Sequence, residues 1–278
     1  MFVLFRGHVQ VSLEKQKILP LSLTTRVLTK HQLANYLWLI PLGMGFAAWE
    51  LMTRFSLVPN SNLPMFSRVV VVLFSSIQDP AFLLRIAHSF LTLVCGLALA
   101  FSFALPLAFI SGSKNKFDLT LTPLVMLAGA LPDLSFLPLL VLWFGPGSVA
   151  AVTMASVAAF FPIYFTVREG TKNIPRELYH VTSIFGSNRI STFTKMVLPA
   201  ISPYMFSGLR LAYDFDWEII IAIEIATSVA GIGSFIQGSV SGGSLESGFA
   251  AILAIALVAI VVDRVFFGTL ESWARKWT

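Results

Sequence analysis

Charge is what this 278-residue chain has least of: 19 Lys and Arg and 14 Asp and Glu together make 12% of its residues. A soluble domain carries roughly 25%. Apolar side chains fill the deficit at 56% of the sequence, more than a water-soluble fold of this length needs for its core. Cysteine is almost missing. Cys95 alone, set in an apolar run, excludes an intrachain disulfide and a cysteine-built metal site, and is expected to be a small buried hydrophobe. Basic clusters are missing too: a net charge of +5 spread along an apolar chain is no groove for nucleic acid. No Gly-x-x-x-x-Gly-Lys-Ser/Thr loop is present, so nucleotide phosphates have no cradle here.

What is there is membrane-spanning material. Each crossing takes ~20 apolar residues, and the runs predict an all-α polytopic membrane protein with six helices, over 36–53, 85–111, 119–143, 147–167, 200–227 and 248–270. Residues 1–34 hold five basic residues and no long apolar run, which reads as a cytoplasmic tail and not as a cleaved signal peptide. Residues 35–278 form one membrane domain. Within it, 54–84 is an external segment in which Phe66, Val69, Val70, Leu73, Phe74 and Ile77 recur at the spacing of an amphipathic interfacial helix.

Orientation follows from the basic residues. Fourteen Lys and Arg fall in the tail, 112–118, 168–195 and the C-terminus, against three (Arg54, Arg68, Arg85) on the opposite side. Positive charge stays inside, which puts both termini and the 168–199 loop in the cytoplasm.

That loop carries the strongest signal. Pro175 suits the first turn of a helix, Glu177 sits near the positive end of its dipole, and Gly186 supplies a left-handed turn that redirects the chain. Ile190, Phe193 and Val197 continue an apolar stripe, and Leu198-Pro199 marks entry into the next span. A cytoplasmic helix–glycine–helix of this kind is built to press on a partner.

The loop resembles that of permease subunits of ABC importers, in the nitrate/sulfonate/taurine-type branch of the binding-protein-dependent transport system inner-membrane component family. The family pattern is Glu-Ala-Ala, three residues, Gly, nine residues, an aliphatic residue, any residue, Leu-Pro. Here the spacing is kept by Gly186, Met196 and Leu198-Pro199, while His180-Val181-Thr182 replaces Glu-Ala-Ala. Leu131-Pro132, Leu137-Pro138 through Gly145, Phe161-Pro162-Ile163, Gly208-Leu209-Arg210, Trp217, Glu224, Gly231-Ile232-Gly233 and Asp263-Arg264 are similar to residues of that branch.

The resemblance implies a type I ABC importer (MetI-like) permease fold in a bacterial cytoplasmic membrane, moving a small solute delivered by an extracytoplasmic binding protein. It implies a second permease chain and a separate ABC ATPase dimer that binds ATP and Mg, with no cofactor in this chain. Glu177, His180, Gly186, Arg189, Leu198 and Pro199 would couple to the ATPase.

Four carboxylates within eleven residues of span five are costly, since a charge at mid-bilayer costs ~2.5–3.5 kcal/mol even on insertion scales. Arg210, Asp214 and Glu218 share one face at i, i+4 spacing, so Arg210 is expected to neutralise Asp214. Asp216 points nearly opposite to Asp214, and Trp217 shares a third direction with Glu224. Asp133 and Phe136 stand between Pro132 and Pro138, which should bend span three. Asp133, Phe136, Asp214, Asp216, Trp217, Glu218 and Glu224 are therefore the candidates for the translocation path. If the acidic residues face it, the field there is negative and favours a cationic, zwitterionic or neutral solute over an anion. The Gly- and Ser-rich stretch 231–243 reads as a flexible external loop.

An intramembrane hydrolase finds no support: His88 and Ser89 are adjacent and point about 100° apart on a helix. The alternative is a proton-coupled secondary transporter using the intramembrane carboxylates as a relay.

Overall fold

A computed structural model describes residues 37, 39–59 and 62–270, so the 1–34 tail lies outside the described residues. The chain divides into two units, residues 1–57 and 58–278.

The first unit contributes one described helix, α1 (Leu39–Arg54), where the first span is expected. Its 16 residues rise about 24 Å at ~1.5 Å each, against a hydrocarbon core of ~30 Å. The hydroxyl of Thr53 donates back to the carbonyls of Trp49 and Glu50 (3.1 and 3.0 Å), and Arg54 complements the C-terminal dipole.

The second unit opens with α2 (Phe66–Ile77), the amphipathic helix read from the periodicity; it buries Val69 and Leu73 and packs on the last span. Asp79 then starts α3 (Pro80–Ser113), its Oδ1 accepting the N–H of Ala81 at 2.9 Å with Pro80 in the first turn. The expected 112–118 loop contracts to Lys114, because α4 (Asn115–Gly129) begins at once. Span three is broken, as its prolines predict. After α4 a 3₁₀ turn (Asp133–Phe136) leads into α5 (Leu137–Phe144), and the two halves meet at 88°.

At the centre lies α6 (Ser148–Lys172), packed on one side by α3 and on another by α9 (Leu198–Thr227). Its buried face is mostly alanine: Ala150, Ala151, Ala155, Ala158 and Ala159. Small side chains let helix backbones approach. A Cβ on Gly96 of α3 would stand 2.5 Å from the Cβ of Ala155, and one on Gly208 of α9 would collide with the hydroxyl of Thr166.

Between α6 and α9 lie α7 (Arg176–Ile184), α8 (Arg189–Thr192) and a π-helical turn (Phe193–Val197). After α9 come α10 (Ile232–Ser241), α11 (Leu245–Val262) and a second π turn (Asp263–Phe267). Ten residues of the expected 231–243 loop are thus helix, because a buried carboxylate organises its start (below). Among the described residues three helices are long and apolar enough to cross a membrane, Pro80–Ser113, Ser148–Lys172 and Leu245–Leu270. They become five if the bent pairs 115–129/133–144 and 189–227/232–241 each count as one. Cys95 corrects the sequence reading: it is exposed on α3, on the flank away from the buried row Leu93, Gly96, Leu97 and Ala100.

Candidate coupling and translocation site

The segment expected to couple, between α6 and α9, is built by local rules. Pro175 stands one position outside α7, with an extended ψ of 135° that suits the residue before a helix, and Glu177 lies in the first turn. The helix stops at Gly186, whose φ of +66° is open to glycine at no steric cost. The N–H of Gly186 donates to the Ser183 carbonyl (3.0 Å) and that of Ser187 to Thr182 (3.1 Å), closing the turn. Asn188 then caps α8, its Oδ1 accepting the Ser191 N–H at 2.7 Å, a start signal that Asn-Arg-Ile-Ser carries in the sequence.

Ile184 and Phe185, each 81% exposed, and Ile190, 75% exposed, present apolar surface on either side of the glycine. The predicted stripe therefore splits. Phe193 meets the ring of Phe109 edge-on at 5.1 Å and Val197 is buried, while Ile190 faces outward. His180 and Arg189 are exposed, and Leu198 and Pro199 are half-buried where α9 begins. Partial burial raises the Tyr179 phenol above its ordinary pKa.

Arg168 and Lys172, expected in the loop, belong to the last turns of α6 and turn inward. Arg168 Nε and Nη2 and Lys172 Nζ all donate to the carboxylate of Asp118 on α4. Asp118 also accepts from Thr122 (2.7 Å); Thr122 pairs with the Tyr164 hydroxyl (3.0 Å), which donates to Ser111 of α3 at 2.9 Å. This clamp joins α3, α4 and α6 and was not foreseen from the sequence, where only the i, i+4 spacing of Asp118 and Thr122 hints at it.

At the other end of α9 a second polar group is closed. Glu224, 1% exposed, accepts two contacts from Ser89 Oγ (2.7 and 2.9 Å) and the N–H of Gly233 (2.8 Å). Ser89 in turn accepts the N–H of Ile232 at 2.9 Å. Two of the unpaired N–H groups that open α10 are satisfied directly or through the serine. Gly231 is required by close approach, since a Cβ there would collide with the Glu224 carboxyl.

The remaining carboxylates separate. Arg210 corrects the expected pairing with Asp214: its Nε and Nη2 donate to Asp263 at 2.7 and 2.9 Å, an interhelical fork in place of the i, i+4 pair. Asp214 is exposed beside that fork, within electrostatic reach of Asp263 and Arg210. Trp217 is buried with its ring edge-on to Tyr213 at 6.1 Å and tilted against Phe90 at 6.4 Å.

Asp216 is 0% exposed, and neither carboxyl oxygen has a hydrogen-bond partner among the described residues. Asp133 is half-buried in the 3₁₀ turn of the broken span, and Glu218, two residues beyond Asp216, lies on the exposed side of α9. Phe136 and Leu137 pack on the buried cluster that includes Leu140, Met154, Ile219 and Ile223. Asp216 and Glu224 are thus buried along α9, while Asp214 and Glu218 share its exposed side.

Residues 104–268 match the family of binding-protein-dependent transport system inner membrane components, more than half of the chain. A Bacillus subtilis (strain 168) protein named for aliphatic sulfonates transport, the permease SsuC, is 24% identical over 93% of this chain and 95% of its own length. The nitrate import permease protein NrtB of Leptolyngbya laminosa is 29% identical over 67% of each chain. Among solved structures, a chain of the inward-facing MetNI methionine ABC transporter aligns with a TM-score of 0.61 at 14% identity, covering 71% of this chain and 96% of that one.

Proposed function

This chain belongs to the binding-protein-dependent transport system inner membrane component family, and from that premise we propose how its parts work as the permease subunit of an ABC importer for a small solute. Two permease chains line the pathway, with α1 as the sixth crossing of each and both termini in the cytoplasm of a bacterial cell. An extracytoplasmic receptor delivers the solute. ATP and Mg are bound and turned over by a separate pair of ATPase subunits, since this chain has no phosphate loop.

The observation that carries the mechanism is the exposed apolar surface around Gly186. Ile184, Phe185 and Ile190 offer a groove in the ATPase the kind of anchors that fill interface pockets. Glu177, His180 and Arg189 supply the polar rim around them. Closure of the ATPase pair on ATP moves the segment, and α9 carries the displacement to the level of Asp216 and Glu224.

Changing Ile184 and Phe185 together to Ser leaves the fold in place, because substitutions at such exposed sites move stability by only about 0.5 kcal/mol. It is expected to cut co-purification with the ATPase and receptor-stimulated ATP hydrolysis at least tenfold. Hydrolysis and uptake at the unaltered rate would remove the coupling role. Uptake that persists in ATP-depleted cells under a proton gradient would instead favour a proton-coupled carrier.

A further inference from the structure

Where the ends of α3 and α6 meet α7 there is a cavity of about 760 Å³ that the permease reading leaves unused. Ser111 and Ser113 of α3, Asn115 at the start of α4, Lys172 at the end of α6 and Tyr179 of α7 line it with polar groups. Phe109 and Ile174 give it an apolar wall. Among the described residues Lys172 is the one charged side chain on its surface, so the cavity is positive and no carboxylate lines it.

The walls are held in place. Ser111 and Lys172 are the two ends of the clamp that runs through Tyr164, Thr122 and Asp118. Gly112 and Thr171 close the floor so tightly that a Cβ on the glycine would stand 2.5 Å from that of the threonine. The donors, in contrast, are mostly unspent. Lys172 Nζ gives one of its three protons to Asp118. Ser111, 0% exposed, accepts from Tyr164 and donates to nothing among the described residues. The side chains of Ser113 and Asn115 and the hydroxyl of Tyr179 make no hydrogen bond among the described residues.

Spare donors around one cation are complementary to an anion with many acceptor oxygens. A phosphomonoester brings three such oxygens and close to two charges, where a carboxylate brings two oxygens and one charge. The apolar wall suits an organic body on that head, and the volume is that of a small-molecule site. The position favours a soluble ligand over a lipid. The 34 residues of α3 rise about 50 Å, more than the ~40–45 Å of a bilayer with its headgroups, so its last turn reaches past the membrane surface.

We propose that this cavity binds a soluble cytosolic phosphomonoester, which bridges Lys172 to Tyr179 and holds α7 against the ends of α3 and α6. Binding is a property of the chain itself. Its consequence, restraint of the coupling segment, rests on the permease reading.

The test compares phenyl phosphate with benzylammonium, a ring of like size with the opposite charge, on the purified full-length chain. Phenyl phosphate at several times its Kd is expected to raise the unfolding temperature by about 2–4 °C, and benzylammonium to leave it unchanged. Asn115→Asp should abolish the rise by placing a carboxylate in the cavity. The variant itself should be no less stable than the parent, because a negative charge suits the N-terminus of α4. Ser113→Asp, at another exposed position, should act in the same way, and Tyr179→Phe should shrink the rise.

An equal response to both ions, or a phenyl phosphate response that survives in Asn115→Asp and Ser113→Asp, overturns the proposal. So does stabilisation by dioleoyl phosphatidic acid without any by phenyl phosphate, which would make the ligand a lipid headgroup. In the complex with its ATPase, phenyl phosphate is expected to lower receptor-stimulated hydrolysis about fivefold, the low end of coupling between sites, and to do so only where Asn115 is unaltered. Binding with no effect on hydrolysis would overturn the bridge to α7. Failure of the permease reading is distinguished separately, since a chain that co-purifies with no ATPase still shows or lacks the thermal response.

Discussion

Replacing Glu224 with Ala is expected to cost about 3 kcal/mol of stability, measured as loss of folded protein in detergent on heating. The change strips the acceptor from Ser89 Oγ and from the Gly233 N–H, both buried. Each buried polar group left unsatisfied costs ~1–3 kcal/mol. Glu224→Gln keeps one acceptor oxygen and should lose about half as much.

The pairing with Gly231 makes the prediction more demanding. In the parent chain Gly231→Ala drives a methyl into the Glu224 carboxyl, so it should be strongly destabilising although the backbone there is extended and open to any residue. In the Glu224→Ala background the methyl enters vacated space, and the same change should become nearly neutral. Such coupling between touching residues is what a double-mutant cycle reads. Additive losses would mean that Glu224 does not sit on Gly231.

Asp118→Ala is expected to be equally damaging for the opposite reason. It leaves two cations, Arg168 and Lys172, side by side with their shared counter-charge gone. Breaking a buried pair by removing one partner costs about 3–5 kcal/mol, and here Lys172 is the more solvated, which places the loss toward the lower end. Thr122 and Tyr164 lose the anchor of their chain as well. Arg168→Ala, which leaves Asp118 its lysine and threonine, should cost less. The check is thermal stability of the purified variants in parallel; equal stability of Asp118→Ala and parent would show the clamp to be idle.

How much of this was legible depends on the length scale of the interaction. Features set by neighbours in the chain were readable: the left-handed glycine at 186, the break at Pro132 and Pro138, the helical spacing of 66–77, and the separate directions of Asp214 and Asp216. Features set by partners far away in sequence were not. Arg210 satisfies i, i+4 with Asp214, yet Asp263, 53 residues on, offers a bidentate fork that a same-helix neighbour cannot match.

The stretch 231–243 has the composition of a loop. It folds as helix because Glu224 and Ser89, 9 and 143 residues from their backbone partners, hold its first N–H groups. Arg168 and Lys172 count toward orientation as loop charges, but their heads are drawn back to Asp118. Of the path candidates, the burial of Asp216 and Glu224 against the exposure of Asp214 and Glu218 needed three dimensions. It depends on how α9 is rotated against its neighbours, which no periodicity reveals.

The π turn at 193–197 has a mechanical consequence. From Arg189 to Thr227 the chain runs as continuous helix, with Pro199 in the first turn of α9 and Pro203 inside it. A π turn holds one surplus residue. Under the proposed coupling, a displacement at the tip travels to the acids at 214–218 along this helix, past Pro203, whose missing N–H weakens the ladder there. The surplus residue fixes the phase between what the tip touches and which carboxylates turn. Deleting one residue within 193–197 would restore plain α-helix and re-index the whole rod by about a quarter turn, swapping the acids that face inward while leaving every contact surface chemically intact.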